Sequence, residues 1–261
     1  HVTFLNGDAL AGRLVIPALS LKTSFGHAEL SFAQVRKIRA SAAGVGPQFV
    51  NSLGMKFVPL PGTGVLVSIW DTRVQDYRAY AQANANVDGS WQNPGYQQAP
   101  DHPVVNVSWN DARAFCAWLT QKERAEGKIA KGREYRLPTD EEWTVATGGS
   151  DYPWGDQWPP PKGAGNYNAS LQLDDYQYTS PVGSFKPNRY GLYDIGGNVC
   201  QSCVWFDQGG QISQVVRGSS WEFAARDGLL CSRHDSTTTP PSARGSNLGF
   251  RCVLAPVETA P

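Results

Sequence analysis

Residues 150–250 constrain the fold most, because they lack the periodic spacing of apolar residues that a long helix or strand requires. Gly, Pro, Asn, Asp and aromatic residues follow one another there in short runs. Only three short segments are typical of strands: 182–185, 215–217 and 250–254. An irregular stretch of this length is unusual inside a compact domain, and such stretches are usually functional or stabilised by an ion. This pattern favours a loop-rich fold over a helical bundle.

Three helix starts precede this stretch, each marked by a hydroxyl residue with an acid or amide three positions later. They are Thr72–Gln75, Ser108–Asp111 and Thr139–Glu142. In such a capping box the two side chains satisfy backbone N–H groups that a helix start leaves unpaired. In the second helix the apolar residues recur at helical spacing, and this spacing places Cys116 on the buried face.

Residues 1–41 have a different pattern from the rest of the chain. Their short apolar or alternating runs are separated by turn signals such as Asn6-Gly7 and Phe25-Gly26, which is typical of β-hairpins. Residues 42–48 are mostly small and show no periodicity, as in a linker. We therefore expect a small all-β unit at 1–41, a linker at 42–48 and one main domain at 49–256.

The charge and apolar content exclude two classes of partner. Lys plus Arg number 23 and Asp plus Glu number 23, so no net field attracts nucleic acid. No run approaches the roughly 18 apolar residues of a membrane span. The five cysteines allow two disulfides with one thiol left over, and the Cys200–Cys203 pair has no histidine at zinc-ligand spacing. Buried thiols of a cytosolic protein are the alternative to disulfides.

Seven phrases within residues 54–254 together resemble the formylglycine-generating-enzyme (sulfatase-modifying factor) family. They occur in the family's order, at Pro103–Ala112, Tyr135–Trp143, Tyr152–Asp156, Pro181–Phe185, Asn188–Val199, Arg217–Trp221 and Asn247–Arg251. The resemblance implies an α+β fold of the C-type lectin-like kind, in which two helices surround small antiparallel sheets and much irregular loop.

The resemblance also locates the catalytic positions of the family, and this chain lacks the catalytic residues. The active enzymes oxidise a substrate cysteine with two cysteines that hold copper, the first three residues after a Gly-Gly-Ser serine and the second five residues further on. Counting from Ser220, these positions hold Phe223 and Gly228, and neither residue binds copper. We therefore expect no copper and a non-catalytic ligand- or protein-binding module. The alternatives are an oxidase acting on cysteine in a substrate protein through a displaced site, and a structural or sensory surface domain.

The binding residues are expected between Trp221 and Asn247, on the face where, by resemblance, the enzymes bind substrate peptide. The candidates are Trp221, Glu222, Phe223, Arg226, Asp227, Arg233, His234, Asp235, Thr237, Thr239, Arg244 and Asn247. Polar groups mixed with few apolar ones are typical of an adaptable binding surface. The alternative is a solvated loop whose arginines pair with nearby acids. On either interpretation, truncating Phe223 or His234 is expected to leave stability nearly intact.

Residues 223–247 contain no Glu, Lys, Met, Gln or Trp. Some proteins of this fold resemble targets of diversity-generating retroelements, which randomise adenines in codons before the final Gly-Phe-Arg. Such codons, when they end in a pyrimidine, cannot encode these five residues. The absence of these five residue types favours a variable protein that is diversified in residues 222–247. The alternative explanation is that the segment is rich in Ser, Thr and Pro.

The resemblance further implies two disulfides. Cys116 with Cys252 and Cys203 with Cys231 match pairs that are bridged in family members, and Cys200 is the odd thiol. Disulfides imply a secreted, periplasmic or cell-surface protein. The expected partner is a protein or a small-molecule ligand.

A structural calcium site is also implied by the resemblance. The matching ligands are the side chains of Asn166 and Asp174 and the carbonyls of Tyr167 and Tyr176. Oxygen ligands of this kind suit a hard cation, and ordinary turn residues are the alternative. The family's second calcium site is doubtful here, because Gln201 stands where the family has a glutamate.

Overall fold

The computed structural model describes the side chains of residues 48–207, 209–234 and 240–257. For residues 1–47 it describes only the backbone of four strands, and for Asp235 only the backbone. The chain divides into two compact units, His1–Gly44 and Val45–Pro261.

The first unit contains two antiparallel strand pairs. Strand β1 (Val2–Thr3) pairs with β2 (Ala9–Leu10), and β3 (Ala18–Thr23) pairs with β4 (Gly26–Ser31). In the longer pair Thr23 lies opposite Gly26, at the turn expected from Phe25-Gly26. The predicted turn at Asn6-Gly7 lies outside the described residues, and the predicted domain boundaries stay predictions.

The second unit is built on two sheets. The larger one has the spatial order β5, β6, β7, β13, β8 and is antiparallel throughout. Its strands are β5 (Phe49–Val50), β6 (Lys56–Pro59), β7 (Leu66–Ser68), β8 (Arg133–Arg136) and β13 (Val253–Pro256). The smaller sheet has the order β11, β10, β9, β12, and only β9 and β12 are parallel. Its strands are β9 (Cys200–Phe206), β10 (Ile212–Arg217), β11 (His234–Asp235) and β12 (Leu248–Gly249).

Two of the three predicted helix starts are confirmed. Helix α2 (Trp109–Ala125) begins after Ser108, whose backbone N–H donates to the Asp111 carboxylate at 2.7 Å. Helix α3 (Asp140–Ala146) begins after Thr139, whose N–H donates to Glu142 at 2.9 Å. Cys116 is buried, as the spacing predicts.

The remaining predicted start, at Thr72, is wrong by one residue. Helix α1 (Val74–Ala83) is capped at Arg73 rather than at Thr72, because the Asp76 carboxylate accepts from the Arg73 backbone N–H and guanidinium at 2.9 Å. Thr72 is buried instead, with its hydroxyl 3.7 Å from the Cys252 sulfur. A carboxylate bonded to both the backbone and the side chain of Arg73 accounts for the shift.

The main core lies between helices α1 and α2 and the larger sheet. Its centre is aromatic: the ring of Tyr77 stacks on Phe115 at 5.9 Å, and Phe250 meets Phe115 edge-on at 5.5 Å. Such pairs add about 0.5–1.5 kcal/mol each beyond the area that they bury.

The predicted strand at 182–185 is wrong, because this segment is a loop. Gly183 has a φ of 77° and donates its N–H to the Asp194 carboxylate at 2.8 Å. A positive φ is compatible with glycine but not with a regular strand. The other two predicted segments contribute to β10 and β13.

A buried arginine, Arg251, joins the two sheets. Its guanidinium donates to the backbone carbonyls of Ser68 (3.1 Å), Tyr193 (2.8 Å) and Asp194 (3.0 Å), and its Nε donates to Gln201 Oε1 at 2.7 Å. These partners lie on β7, on the loop before β9 and on β9 itself. One side chain therefore fixes the start of β9 relative to the larger sheet.

Gln201 completes this buried network. Its Oε1 also accepts from the indole N–H of Trp143 at 2.9 Å, and its Nε2 donates to the Asp194 carbonyl at 2.7 Å. A glutamate at this position could not donate that hydrogen bond in its ionised form. The amide therefore has a structural role here, because it links Trp143, Arg251 and the Asp194 carbonyl.

Burial raises the pKa of Asp194 to about 6, against the opposing effects of the Gly183 N–H and the Arg251 charge. The ordinary pKa in the unfolded chain is about 3.9. The folded state therefore holds this proton more tightly, and the resulting stability is fully present below about pH 4 and is lost as the pH rises through 6.

We therefore expect Asp194→Asn to gain stability relative to the wild type as the pH rises from 4 to 7, by at most about 3 kcal/mol. Urea unfolding at a series of pH values measures this difference. Asp101→Asn, at an exposed carboxylate, is the control and should keep the wild-type profile. Parallel profiles for Asp194→Asn and the wild type would contradict the assignment.

Candidate functional site

The two positions that match the copper cysteines are neighbours in space. Gly228 lies in a short helical turn, Arg226–Leu229. A Cβ atom placed on Gly228 would come 3.0 Å from Cδ1 of Phe223. The Phe223 ring therefore packs closely against position 228, and a side chain at this position would require the ring to shift.

The Phe223 ring also packs against two small apolar clusters. One contains Tyr152, Tyr167, Leu173 and Leu229, and the other contains Cys200, Val216 and Leu248. Phe223 is half-buried between them. The effect of its truncation on stability stays a prediction, and the contacts with both clusters favour a loss on truncation over the near-neutral effect expected from composition.

Two arginines of the predicted face lie over aromatic rings. The Arg233 guanidinium lies 4.4 Å from the centroid of the Phe223 ring, and that of Arg226 lies 5.3 Å from the Trp158 ring. Arg226 Nε also donates to the Tyr152 hydroxyl at 2.9 Å. Cations over ring faces are held by the ring quadrupole. The arrangement fixes the orientation of two positive groups on an aromatic base.

A second aromatic group lies around Trp221. Tyr96 and Tyr178 stack in parallel at 4.5 Å, and the Trp221 ring stands edge-on to both, at 5.8 and 5.0 Å. Burial raises the pKa of Tyr96 to about 12, so its hydroxyl is protonated at neutral pH. No motif predicts Tyr96 or Tyr178, and sequence reasoning missed both.

Polar groups lie beside this aromatic group. Asn247 Nδ2 donates to the Glu222 carboxylate at 2.7 Å and to the Ser220 hydroxyl at 3.3 Å. An open groove of about 660 Å³ also borders Tyr96, and it is lined by residues 91–98 with Val74 and Arg78 of α1. The structure therefore brings Glu222 and Asn247 together beside Trp221, and the binding role of these residues stays a prediction.

Helix α3 anchors this face through Arg217, which sequence reasoning also missed. Arg217 is buried, forms an ion pair with Asp140, and donates to the Thr144 hydroxyl (3.1 Å) and the Cys231 carbonyl (3.0 Å). His234, half-exposed, lies over this pair with its ring nitrogens 3.3 Å from Arg217 Nη1. His234 therefore sits at the surface above a buried charge pair.

The remaining candidates have different positions. Arg244 forms ion pairs with Asp111 and, at 3.6 Å, with Asp88, which matches the alternative of arginines paired with local acids. Asp227 is exposed. The side chain of Asp235 and the whole of Thr237 and Thr239 lie outside the described residues.

The predicted disulfide partners are buried thiols. The Cys116 and Cys252 sulfurs lie 3.6 Å apart, compared with about 2.05 Å in a disulfide. Burial raises the pKa values of Cys116, Cys203 and Cys231, that of Cys231 to about 12. In the thiol form these three side chains are therefore protonated at neutral pH, and a protonated thiol is a weak nucleophile. Both disulfides, and the compartment that they imply, stay predictions.

The residues predicted to bind calcium all lie on one loop. The Asp174 carboxylate accepts from the N–H groups of Tyr167 (3.2 Å) and Tyr176 (2.8 Å), and burial raises its pKa. Asn166 Nδ2 donates to the Tyr178 carbonyl at 2.7 Å, whereas Asn166 Oδ1 is buried without a hydrogen-bond partner. A buried oxygen without a partner costs about 1–3 kcal/mol, and a cation would satisfy it.

Other metal chemistry finds no support in the described part of the chain. There, no three His, Cys, Asp or Glu side chains cluster closely enough to hold a metal ion. Among the helices described, none has the length and apolar character to cross a bilayer.

The family model of the sulfatase-modifying factor enzyme 1-like domain matches residues 47–256. A relative named inactive C-alpha-formylglycine-generating enzyme 2, from Bos taurus, is 39% identical over 182 residues, which cover 62% of this chain and 55% of the relative. A formylglycine-generating enzyme from Thermomonospora curvata is 32% identical over 193 residues, covering 60% and 57%. The chain thus spans about half the length of these curated relatives.

The fold is shared with a solved structure, the Treponema denticola variable protein 1. The TM-score is 0.57 at 24% identity, and the superposition covers 74% of this chain and 84% of that one. The expected C-type lectin-like α+β fold, in its formylglycine-generating-enzyme form, is confirmed.

Proposed function

The chain belongs to the sulfatase-modifying factor enzyme 1-like domain family, and on that basis we propose that it is a non-catalytic binding module. One observation carries this proposal: Phe223 and Gly228 stand at the positions of the family's two copper cysteines, and the Phe223 ring lies 3.0 Å from where a Cβ of residue 228 would be. Without two thiolates the soft Cu(I) ion has no ligands at this site. The 39% identity to relatives named inactive supports the same conclusion.

The binding face is the surface around Phe223 and Trp221. It combines guanidinium groups held on rings, at Arg226 and Arg233, with the hydrogen-bonding side chains of Glu222 and Asn247. Rigid aromatic residues supply contact area at low entropic cost, and polar side chains supply adaptable hydrogen bonds. The ligand that fits this mixture is an exposed peptide segment of another protein.

We extend the proposal to variation in residues 222–247. This segment contributes to the face, and it lacks, after Glu222, the five residue types that adenine-randomised codons ending in a pyrimidine cannot encode. Arg251, Gln201 and Trp143 lie outside it, so the exposed side chains of the segment can change without touching that buried network.

The absence of catalysis is tested by a Cu(I) titration combined with an oxidation assay on a cysteine-containing peptide. We expect no stoichiometric copper binding and no turnover in the wild type. The double substitution Phe223→Cys with Gly228→Cys should gain Cu(I) binding, because the two positions are adjacent. Tight copper binding and peptide oxidation by the wild type would overturn the proposal in favour of an oxidase with a displaced site.

The binding role is tested by selecting from a phage-displayed library of random peptides. We expect enriched peptides whose affinity falls about tenfold on Arg226→Ala, as for an interface residue that contributes more than about 1 kcal/mol. Lys131→Ala removes an exposed charge outside this face and should have no effect. Failure to enrich any peptide, or equal binding to both variants, would contradict the assigned face.

We also propose that this domain holds a structural calcium ion. Asn166 and Asp174 would supply side-chain oxygens, and Tyr167 and Tyr176 would supply carbonyls. The buried Asn166 Oδ1 without a hydrogen-bond partner supports this choice. Bound there, the ion would tie together the loop 166–178, part of the long irregular stretch, and its chemistry would be structural only.

Excess calcium is therefore expected to raise the melting temperature by about 5 °C relative to chelator. Asp174→Asn should abolish the rise, because it removes the charged ligand. Asp175→Asn, at the neighbouring exposed carboxylate, should retain it. Identical melting curves in calcium and chelator would remove the ion from the proposal.

A further inference from the structure

The end of the β9–β10 hairpin carries an exposed apolar ridge, away from the catalytic positions in sequence. It consists of Trp205, Phe206 and Ile212 with Val145 of α3. Their side chains are 36%, 44%, 50% and 37% exposed, respectively. Phe206 and Ile212 lie directly opposite each other in the ladder. Exposed apolar side chains that are grouped on one surface are typical of interaction surfaces.

A basic groove lies on one side of the apolar ridge. It has a volume of about 450 Å³ and is lined by the side chains of Arg113, Arg124 and Arg136, with Glu134 as its one carboxylate. Phe206 and Ile212 form its apolar border.

An acidic groove lies on the other side, with a volume of about 490 Å³. It is lined by Asp140, Glu141 and Glu142, by Arg136, and by Val145, Trp205 and Phe206 of the ridge. Phe206 and Arg136 line both grooves, whereas Ile212 lines only the basic one and Trp205 only the acidic one. Because Arg136 is paired with Glu142, the two flanks differ in sign through the charges that remain unpaired.

Part of each flank's charge is not used within the chain. Arg136 pairs with Glu142, and Asp140 pairs with Arg217. Arg113 lies over the Trp109 ring and Arg124 donates to a backbone carbonyl, and Glu141 is exposed. Among the described residues, no ion pair involves these last three side chains. Glu134 in the basic groove has no ion pair among the described residues either, so Arg113 and Arg124 against one carboxylate leave that flank net positive, whereas Glu141 leaves the other flank net negative.

We propose that the apolar ridge is the centre of a two-fold interface between two copies of this chain. In a two-fold interface the same surface meets itself, so the surface must be complementary to its own image. Rotation about the ridge packs apolar side chains on apolar side chains and turns each basic groove toward the acidic groove of the other copy. A partner with charge of one sign would match only one flank, which favours a second copy as the occupant.

Sedimentation equilibrium on the 261-residue chain tests the ridge itself. We expect a dimer whose dissociation constant rises about 30-fold or more on Phe206→Asp, as for a central interface residue. Val50→Asp is the matched control: Val50 is 50% exposed, as Ile212 is, but lies on β5 and lines neither groove. Circular dichroism melting of each variant separates loss of association from loss of folding.

A charge exchange tests the two flanks. Glu141→Arg alone and Arg113→Glu alone should each weaken the dimer about tenfold, because each places like charges opposite one another. Mixing the two variants should restore association, since the new arginine then faces the new glutamate while the native Arg113 faces the native Glu141. A monomer at all concentrations, a dimer insensitive to Phe206→Asp, or a mixture that does not associate would overturn the proposal.

Discussion

The fold depends on one buried cation, the Arg251 guanidinium. It donates to three backbone carbonyls and to Gln201, and it lies 3.4 Å from the buried carboxylate of Asp71. Burial raises the pKa of Asp71 well above its ordinary value, because the loss of solvation outweighs the attraction of Arg251. A buried charge is tolerated only when its donors are satisfied. The carbonyls that satisfy it are therefore held in fixed positions, and so is the backbone that carries them.

This constraint explains how a long irregular stretch keeps a defined structure. In this stretch, hydrogen bonds from side chains take the place of the backbone hydrogen bonds of helices and strands. Asn188 accepts from the N–H groups of Tyr190 and Leu192, and Asn198 exchanges two hydrogen bonds with the Ser180 backbone. Asp194 and Asn198 adopt positive φ angles of 51° and 61°, which these residue types accept more readily than most. Hydrogen bonds from Asn and Asp side chains to the nearby backbone thus hold this stretch where no helix or strand is present.

Local signals in the sequence predicted the helices well, and long-range partners could not be predicted. The boxes at Ser108 and Thr139 need only four consecutive residues, whereas the bond between Trp143 and Gln201 joins positions 58 apart. The strand expected at 182–185 failed because its apolar spacing says nothing about the carboxylate of Asp194 that binds Gly183. For the site, motif spacing located Phe223 and Gly228, but Tyr96 and Tyr178 belong to no motif and are brought to Trp221 by tertiary folding.

The two positions that match the family's copper cysteines lie apart from the network that joins the two sheets. Arg251, Gln201 and Trp143 form a network that is entirely buried. Phe223 and Gly228, by contrast, lie in a loop and a short turn, and the Phe223 ring contacts two small apolar clusters and the Arg233 guanidinium. None of the hydrogen bonds that join Arg251, Gln201 and Trp143 involves either of these side chains. The two positions can therefore differ between members of the family without any change in the donors and acceptors of the buried network.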